Sequence, residues 1–121
     1  MSKIVLKLVS DDAWAAAMRA GSYTGSFDDA RDGFIHLSTP EQLSETAAKH
    51  FAGQSNLIVV GFRADDLGDE LRWEQSRGGA LFPHLYGSLS VDAALFEFEA
   101  PLTGSGIPDV SEALAEAKRL A

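Results

Sequence analysis

Leu57-Ile58-Val59-Val60-Gly61-Phe62 has no polar side. A short run this apolar and this rich in β-branched residues reads as a central strand covered on both faces, and it anchors the sheet. Downstream of it, helical periodicity is missing almost to the C-terminus. Asp65-Asp66-Leu67-Gly68-Asp69 is a turn, Leu71-Arg72-Trp73-Glu74 a short strand, and Gly78-Gly79 another turn. Leu81 to Leu89 alternates, and Leu95 to Glu99 is a last strand with Phe96 and Phe98 inward and Glu97 and Glu99 outward. After a glycine-bearing connection from Thr103 to Ile107, Asp109 or Ser111 can cap a final helix striped by Val110, Leu114 and Ala117. Strand following strand in the second half breaks the βαβ rhythm of a doubly wound sheet. The expected fold is α+β: a small, mostly antiparallel, split sheet with two or three packed helices.

Upstream, Ile4-Val5-Leu6-Lys7-Leu8-Val9 reads as an inner strand with Lys7 interrupting one face. Ser10 caps a helix through Ala20, with Asp11 and Asp12 in its first turn, Gly21 just past its end, and Ala13, Trp14, Ala17 and Met18 on its apolar side. Gly21 to Gly33 is polar and glycine-bearing and reads as a long loop, in which Tyr23 can both pack and hydrogen-bond. Thr39 starts a second helix: Pro40 suits the first position, Gln42 completes a capping box, and Leu43, Ala47 and Phe51 follow at four-residue spacing up to Gly53.

With 121 residues, the chain has the length of one domain, 1–121, with one core. A net charge of -8 repels a phosphate backbone, and the basic residues are scattered, so bulk nucleic acid is not expected as a partner. A single nucleotide or a small molecule remains open as ligand. No cysteine is present, which excludes thiolate nucleophiles and cysteine-based zinc sites. The apolar start is too short for a signal peptide and no segment approaches a membrane span, so a cytoplasmic protein without membrane contact is expected. The oligomeric state is not readable.

Two strands carry polar stripes. Phe34, His36 and Ser38 alternate with Ile35 and Leu37; Phe82, His84, Tyr86 and Ser88 share one face of the later strand, opposite Leu81, Leu85 and Leu89. If the strands pair or face each other, His36 with Ser38 and His84 with Tyr86 meet in a cleft lined by Phe34 and Phe82, and Arg72 and Glu74 share a strand face that can join them. Imidazole can accept or donate a proton near neutral pH, and aromatic walls can stack a planar ligand. His50 lies off this pattern and reads as structural or solvent-facing. A metal could draw on His36, His84 and Glu74, but their spacing is not diagnostic and no metal is expected. Phosphate loops, dinucleotide-binding glycine fingerprints and nucleophile elbows do not occur.

Asp32-Gly33-Phe34-Ile35-His36-Leu37-Ser38-Thr39 with Glu41-Gln42, then Arg72-Trp73-Glu74, then Phe82-Pro83-His84-Leu85-Tyr86-Gly87, closely resembles the domain-of-unknown-function 952 (DUF952) family. Trp14, Ala17, Gly21 and Tyr23-Thr24-Gly25-Ser26 are similar to that family's opening segment. The family carries no established activity. It is grouped by fold with the ADP-ribosyltransferase-like superfamily, so the resemblance implies a split antiparallel sheet around a cleft for nicotinamide adenine dinucleotide (NAD). By that resemblance Lys7 stands where a first-strand basic residue falls, His36 or Ser38 on the next strand, and the late glutamate is Glu74 or Glu97, with Glu74 beside Trp73 preferred. Such a glutamate would orient the attacking hydroxyl and stabilise a cationic ribosyl transition state.

Three readings stay open. In the first, a nucleotide-handling transferase or hydrolase uses His36 to orient ribose, Tyr86 or Tyr23 to stack nicotinamide, and Glu74 to polarise. In the second, His36-Leu37-Ser38 is the histidine-x-serine pattern of two-histidine phosphoesterases, with His84-Leu85-Tyr86 as an imperfect second copy. In the third, the cleft binds a small ligand or serves regulation without chemistry.

Overall fold

The computed structural model describes residues 3–121. Strand β1 (Ile4–Ser10) leads into helix α1 (Asp11–Ala20), then the short strand β2 (Ser22–Tyr23), helix α2 (Phe27–Asp32), strand β3 (Ile35–His36) and helix α3 (Pro40–His50). Strands β4 (Leu57–Arg63), β5 (Leu71–Gln75), β6 (Leu81–Leu85), β7 (Leu89–Ser90) and β8 (Phe96–Ala100) follow, and helix α4 (Ser111–Leu120) closes the order. The fold is α+β, and every strand pair is antiparallel.

The apolar run from Leu57 is the middle strand of a sheet ordered β1-β4-β8. Its alternation serves two cores. Leu57 and Val59 face a cluster with Ile4, Leu6 and Leu8 of β1, Leu43 and Ala47 of α3, and Ala113 and Ala117 of α4. Val60 and Phe62 face another with Val5, Val9, Trp14, Tyr23, Ile35, Leu85 and Leu89. Covering both faces with side chains explains why this strand has no polar side. Gly61 leaves room for Phe96, the far end of whose ring lies where a Cβ would be.

A second sheet runs β3-β6-β5, and β2 pairs with β7. A bridge between Leu6 and Ser38, with N–H···O distances of 2.8 and 2.9 Å, links the chain just after β3 to β1. The sheet is therefore split, and its two parts are stitched together beside Lys7.

Several sequence expectations are corrected, the first being that the core is one: it forms two clusters, one on each face of β4. Gly21 to Gly33 is not one loop: Ser22-Tyr23 pairs with Ser90-Leu89, and α2 forms because Ser26 and Asp29 make a reciprocal capping box while Gly33 takes φ +86° at its end. Among the described residues there are four α-helices, α2 being the additional one. The strand from Leu81 ends at Leu85, where the Tyr86 N–H donates to the Glu70 carbonyl (2.8 Å) and the Glu70 carboxylate fills the space beside Gly87. Met18 is 56% exposed rather than part of the apolar side of α1. Helix α3 begins as expected, with Pro40 first and the Gln42 side chain accepting from the Thr39 N–H (3.0 Å), and gives way at Phe51 instead of running to Gly53. Among the described residues no helix is long and apolar enough to cross a membrane.

Candidate functional site

The site starts from a buried carboxylate. Helix α2 is short and polar, so it is held by its caps and by Asp29, which turns inward and is 2% exposed. Asp29 Oδ2 accepts from Lys7 Nζ (2.9 Å) and from the Ser26 N–H (2.9 Å); Oδ1 accepts from Lys7 Nζ (3.2 Å), the His36 N–H (3.1 Å) and His36 Nδ1 (2.6 Å). Burial alone would raise the Asp29 carboxyl, but the hydrogen bond from His36, the charge of Lys7 and the backbone N–H groups of Ser26 and His36 outweigh it and hold it well below the usual carboxylate range. Burial also pulls the Lys7 ammonium below the usual lysine value, against the pull of Asp29. Lys7 Nζ further donates to the His36 carbonyl (3.0 Å), so one ammonium ties β1, α2 and β3 together.

His36 lies between two carboxylates of α2: Nδ1 donates to Asp29, and Nε2 lies 2.9 Å from Asp32 Oδ2. Both ring nitrogens of His36 therefore face acids of one helix. Asp32 is itself held below the usual range, first by the hydrogen bond from Arg31.

His84 is the direct register partner of His36 across β3 and β6, and Arg72 of β5 is the next residue in the same row. The two imidazole centroids are 5.8 Å apart at 71°. Phe34 joins them, stacked on His84 at 4.0 Å and tilted on His36 at 4.6 Å. His84 Nδ1 donates to Glu74 Oε1 (2.8 Å), which also accepts from the Tyr86 hydroxyl (2.7 Å). These bonds, His84 foremost, lower the Glu74 carboxyl, and the same contact raises the Tyr86 phenol. Its Nδ1 is thus fixed by Glu74, while its Nε2 has no hydrogen-bond partner among the described residues.

A groove of about 570 Å³ runs beside this pair and is lined by Lys7, Asp32, His36, Ser38, Phe82 and His84, among others. Ser38 is 5% exposed and its hydroxyl lies 3.0 Å from that of Thr46. Phe34, Glu74, Arg72 and Tyr86 are not among the lining residues; they hold the histidines from outside it, with the Arg72 guanidinium 4.8 Å from the centre of the Tyr86 ring. Tyr23 also borders the groove, yet it is 5% exposed and its ring is tilted against Trp14 at 6.2 Å. Of the two glutamates considered, Glu74 bonds to His84; Glu97 accepts from Trp14 Nε1 (2.7 Å) instead. No three His, Asp or Glu side chains among the described residues are grouped to hold a metal ion.

Sequence reading missed Asp29 and Asp32. The signal was present: Ser26 three residues before an acidic residue, with Gly33 at the far end, marks a short capped helix, and a helix there places Asp29 and Asp32 on one side.

The crystal structure of protein CC0527 from Caulobacter crescentus is similar to this chain, with 46% identity over 93% of this chain and 98% of that one, at a TM-score of 0.90. The solution NMR structure of CC0527 gives 46% identity, 93% and 97% coverage, and a TM-score of 0.82. Both are structural-genomics determinations. No curated protein matches. The family model described as "Protein of unknown function (DUF952)" matches residues 8–96, which span both histidines, α2 and Glu74, and the chain belongs to that family.

Proposed function

We propose that this chain binds a nucleotide, a nicotinamide dinucleotide or a close relative of it, and acts on its ribosyl portion in the manner of ADP-ribosyltransferase-like proteins. The observation that carries the reading is the cross-strand pair: His36 set between the carboxylates of Asp29 and Asp32, and His84 held by Glu74 through Nδ1, on one side of a groove of ligand size. Asp32, oriented by His36 Nε2, offers its carboxylate as an acceptor to ribose hydroxyls. His84 Nε2 takes the proton from an attacking hydroxyl or water as that oxygen bonds to ribose C1′; the bond from C1′ to the nicotinamide nitrogen breaks and its electron pair leaves with nicotinamide. Glu74 steadies the imidazolium so formed, through His84 rather than by touching the sugar.

Saturation-transfer NMR with NAD, repeated on His36→Ala, tests binding: transfer to the ribose protons is expected in the natural protein and lost in the variant, and no transfer in either removes the reading. Nicotinamide release that vanishes in His84→Ala supports the chemistry. Binding without release leaves a ligand-binding domain.

One observation favours a second reading. Each histidine sets its Nδ1 against a carboxylate and the two rings adjoin, an arrangement suited to acid and base catalysis across a cyclic phosphodiester. A bell-shaped pH profile on a 2′,3′-cyclic nucleotide is its signature, and flat, negligible turnover ends it.

A further inference from the structure

Phe27, the first residue of α2, is 84% exposed, whereas the other six phenylalanines of the chain are buried or half-buried. It borders the same groove as His36 and His84. Its backbone is held at a capped helix start. Ser26 beside it closes the capping box with Asp29, Gly33 ends the helix, and Asp29 and Asp32 of the same helix both touch the His36 ring. One helix therefore sets the distance between an uncovered aromatic face and the imidazole that the proposed ligand's ribose would meet. Five residues of α2 place Phe27 roughly 7.5 Å along the axis from Asp32 and about 140° around it, at the other edge of the groove that both residues border.

We infer that Phe27 is the stacking platform for the planar heteroaromatic base of the bound nucleotide, an inference that rests on the ribosyl reading of the His36 site. The polar surroundings suit this role: Asp28 and Arg31 pair with each other at 3.3 Å, and Arg31 is also bound to Asp32 at 3.0 Å, so the nearby charges are mutually occupied and the ring is the apolar surface at that end of the groove. Base stacking on an aromatic side chain is tolerant of base identity, so adenine and nicotinamide are both candidates of the same chemistry.

The test is a set of NMR titrations of the full chain with AMP, nicotinamide mononucleotide and ribose 5-phosphate, on the natural protein and on Phe27→Ala and Phe27→Leu. Because Phe27 is exposed, both variants are expected to keep the natural Tm. Phe27→Ala should weaken at least one of the two base-bearing ligands by about fivefold or more, leave ribose 5-phosphate unchanged, and abolish the upfield ring-current shift of the base protons. Phe27→Leu should lose that shift as well. Which base-bearing ligand responds identifies the base. If the natural protein binds all three and Phe27→Ala changes none, or weakens ribose 5-phosphate equally, the platform is overturned while the ribosyl reading stands. Should the natural protein bind none of them, both fall.

Discussion

His36 and His84 are direct partners across the ladder between β3 and β6, and each turns its Nδ1 to a carboxylate from a different element: Asp29 of α2 for one, Glu74 of β5 for the other. Two adjacent imidazoles are thus oriented independently. One has both nitrogens engaged by acids; the other keeps a nitrogen open.

Replacing Glu74 by Gln should release His84 from its single tautomer. In the natural protein a long-range ¹H–¹⁵N spectrum is expected to show His84 with hydrogen on Nδ1; in Glu74→Gln the two tautomers should mix. A hydrogen bond to a charged group contributes about 1.5–3 kcal/mol, so ligand affinity or turnover that depends on His84 should drop by tenfold or more. An unchanged tautomer would remove Glu74 from its assigned part.

Asp29→Ala should destabilise the fold by about 3–5 kcal/mol in chemical denaturation, since it leaves Lys7 buried without its counter-charge. The pH dependence has a definite sign. The Asp29 carboxyl is depressed in the folded state, so the unfolded chain binds more protons as acid is added, and the contribution of Asp29 is full above the ordinary aspartate value of 3.8 and fades below it. The stability gap between natural protein and variant should accordingly narrow as the pH drops from 5 towards 2, roughly the window set by that linkage. A gap that stays constant would contradict the assignment.

Removing the cap with Ser26→Ala should cost about 1 kcal/mol, and the cost should be local. Helix α2 has six residues, so the amides of Ala30 and Gly33, which donate to the Ser26 and Asp29 carbonyls, should exchange with solvent faster, while the amides of β4 keep their protection. Uniform acceleration across the sheet would show that α2 unfolds only with the whole.

Gly61→Ala pushes a methyl group into the ring of Phe96 and should cost about 1–3 kcal/mol by overpacking. Phe96→Leu in the same chain should recover part of that loss. The denaturation midpoint of the double variant is the measurement, and strict additivity would argue against the contact.

Much of this was legible in advance. Strand parity alone put Phe34, His36 and Ser38 on one side and grouped His84 with Tyr86, and it put Arg72 and Glu74 on a common face. What parity could not supply was register: that His36 meets His84, and His84 meets Arg72, depends on how β3, β6 and β5 slide along one another, which is set by contacts distant in sequence. Helix α2 was hidden for another reason. Its residues are polar and it has no apolar stripe, so periodicity was silent, and only the pairing of Ser26 with Asp29 at the start and Gly33 at the end marked it. With the helix went Asp29 and Asp32, half of what holds His36. The break after Leu85 was equally unreadable, because it answers to Glu70, which presses on Gly87 from outside the strand.

The central strand β4 also acts as a partition. Ile35 and Leu85, which neighbour the two histidines in β3 and β6, pack on the Val60 and Phe62 side, whereas α3 and α4 send Leu43, Ala47, Ala113 and Ala117 to the other side. Helix α3 also reaches the groove through Thr46 and His50, whereas no residue of α4 borders it, so evolution, or an engineer, can trade thermal endurance or surface character in α4 and leave the walls of the site standing.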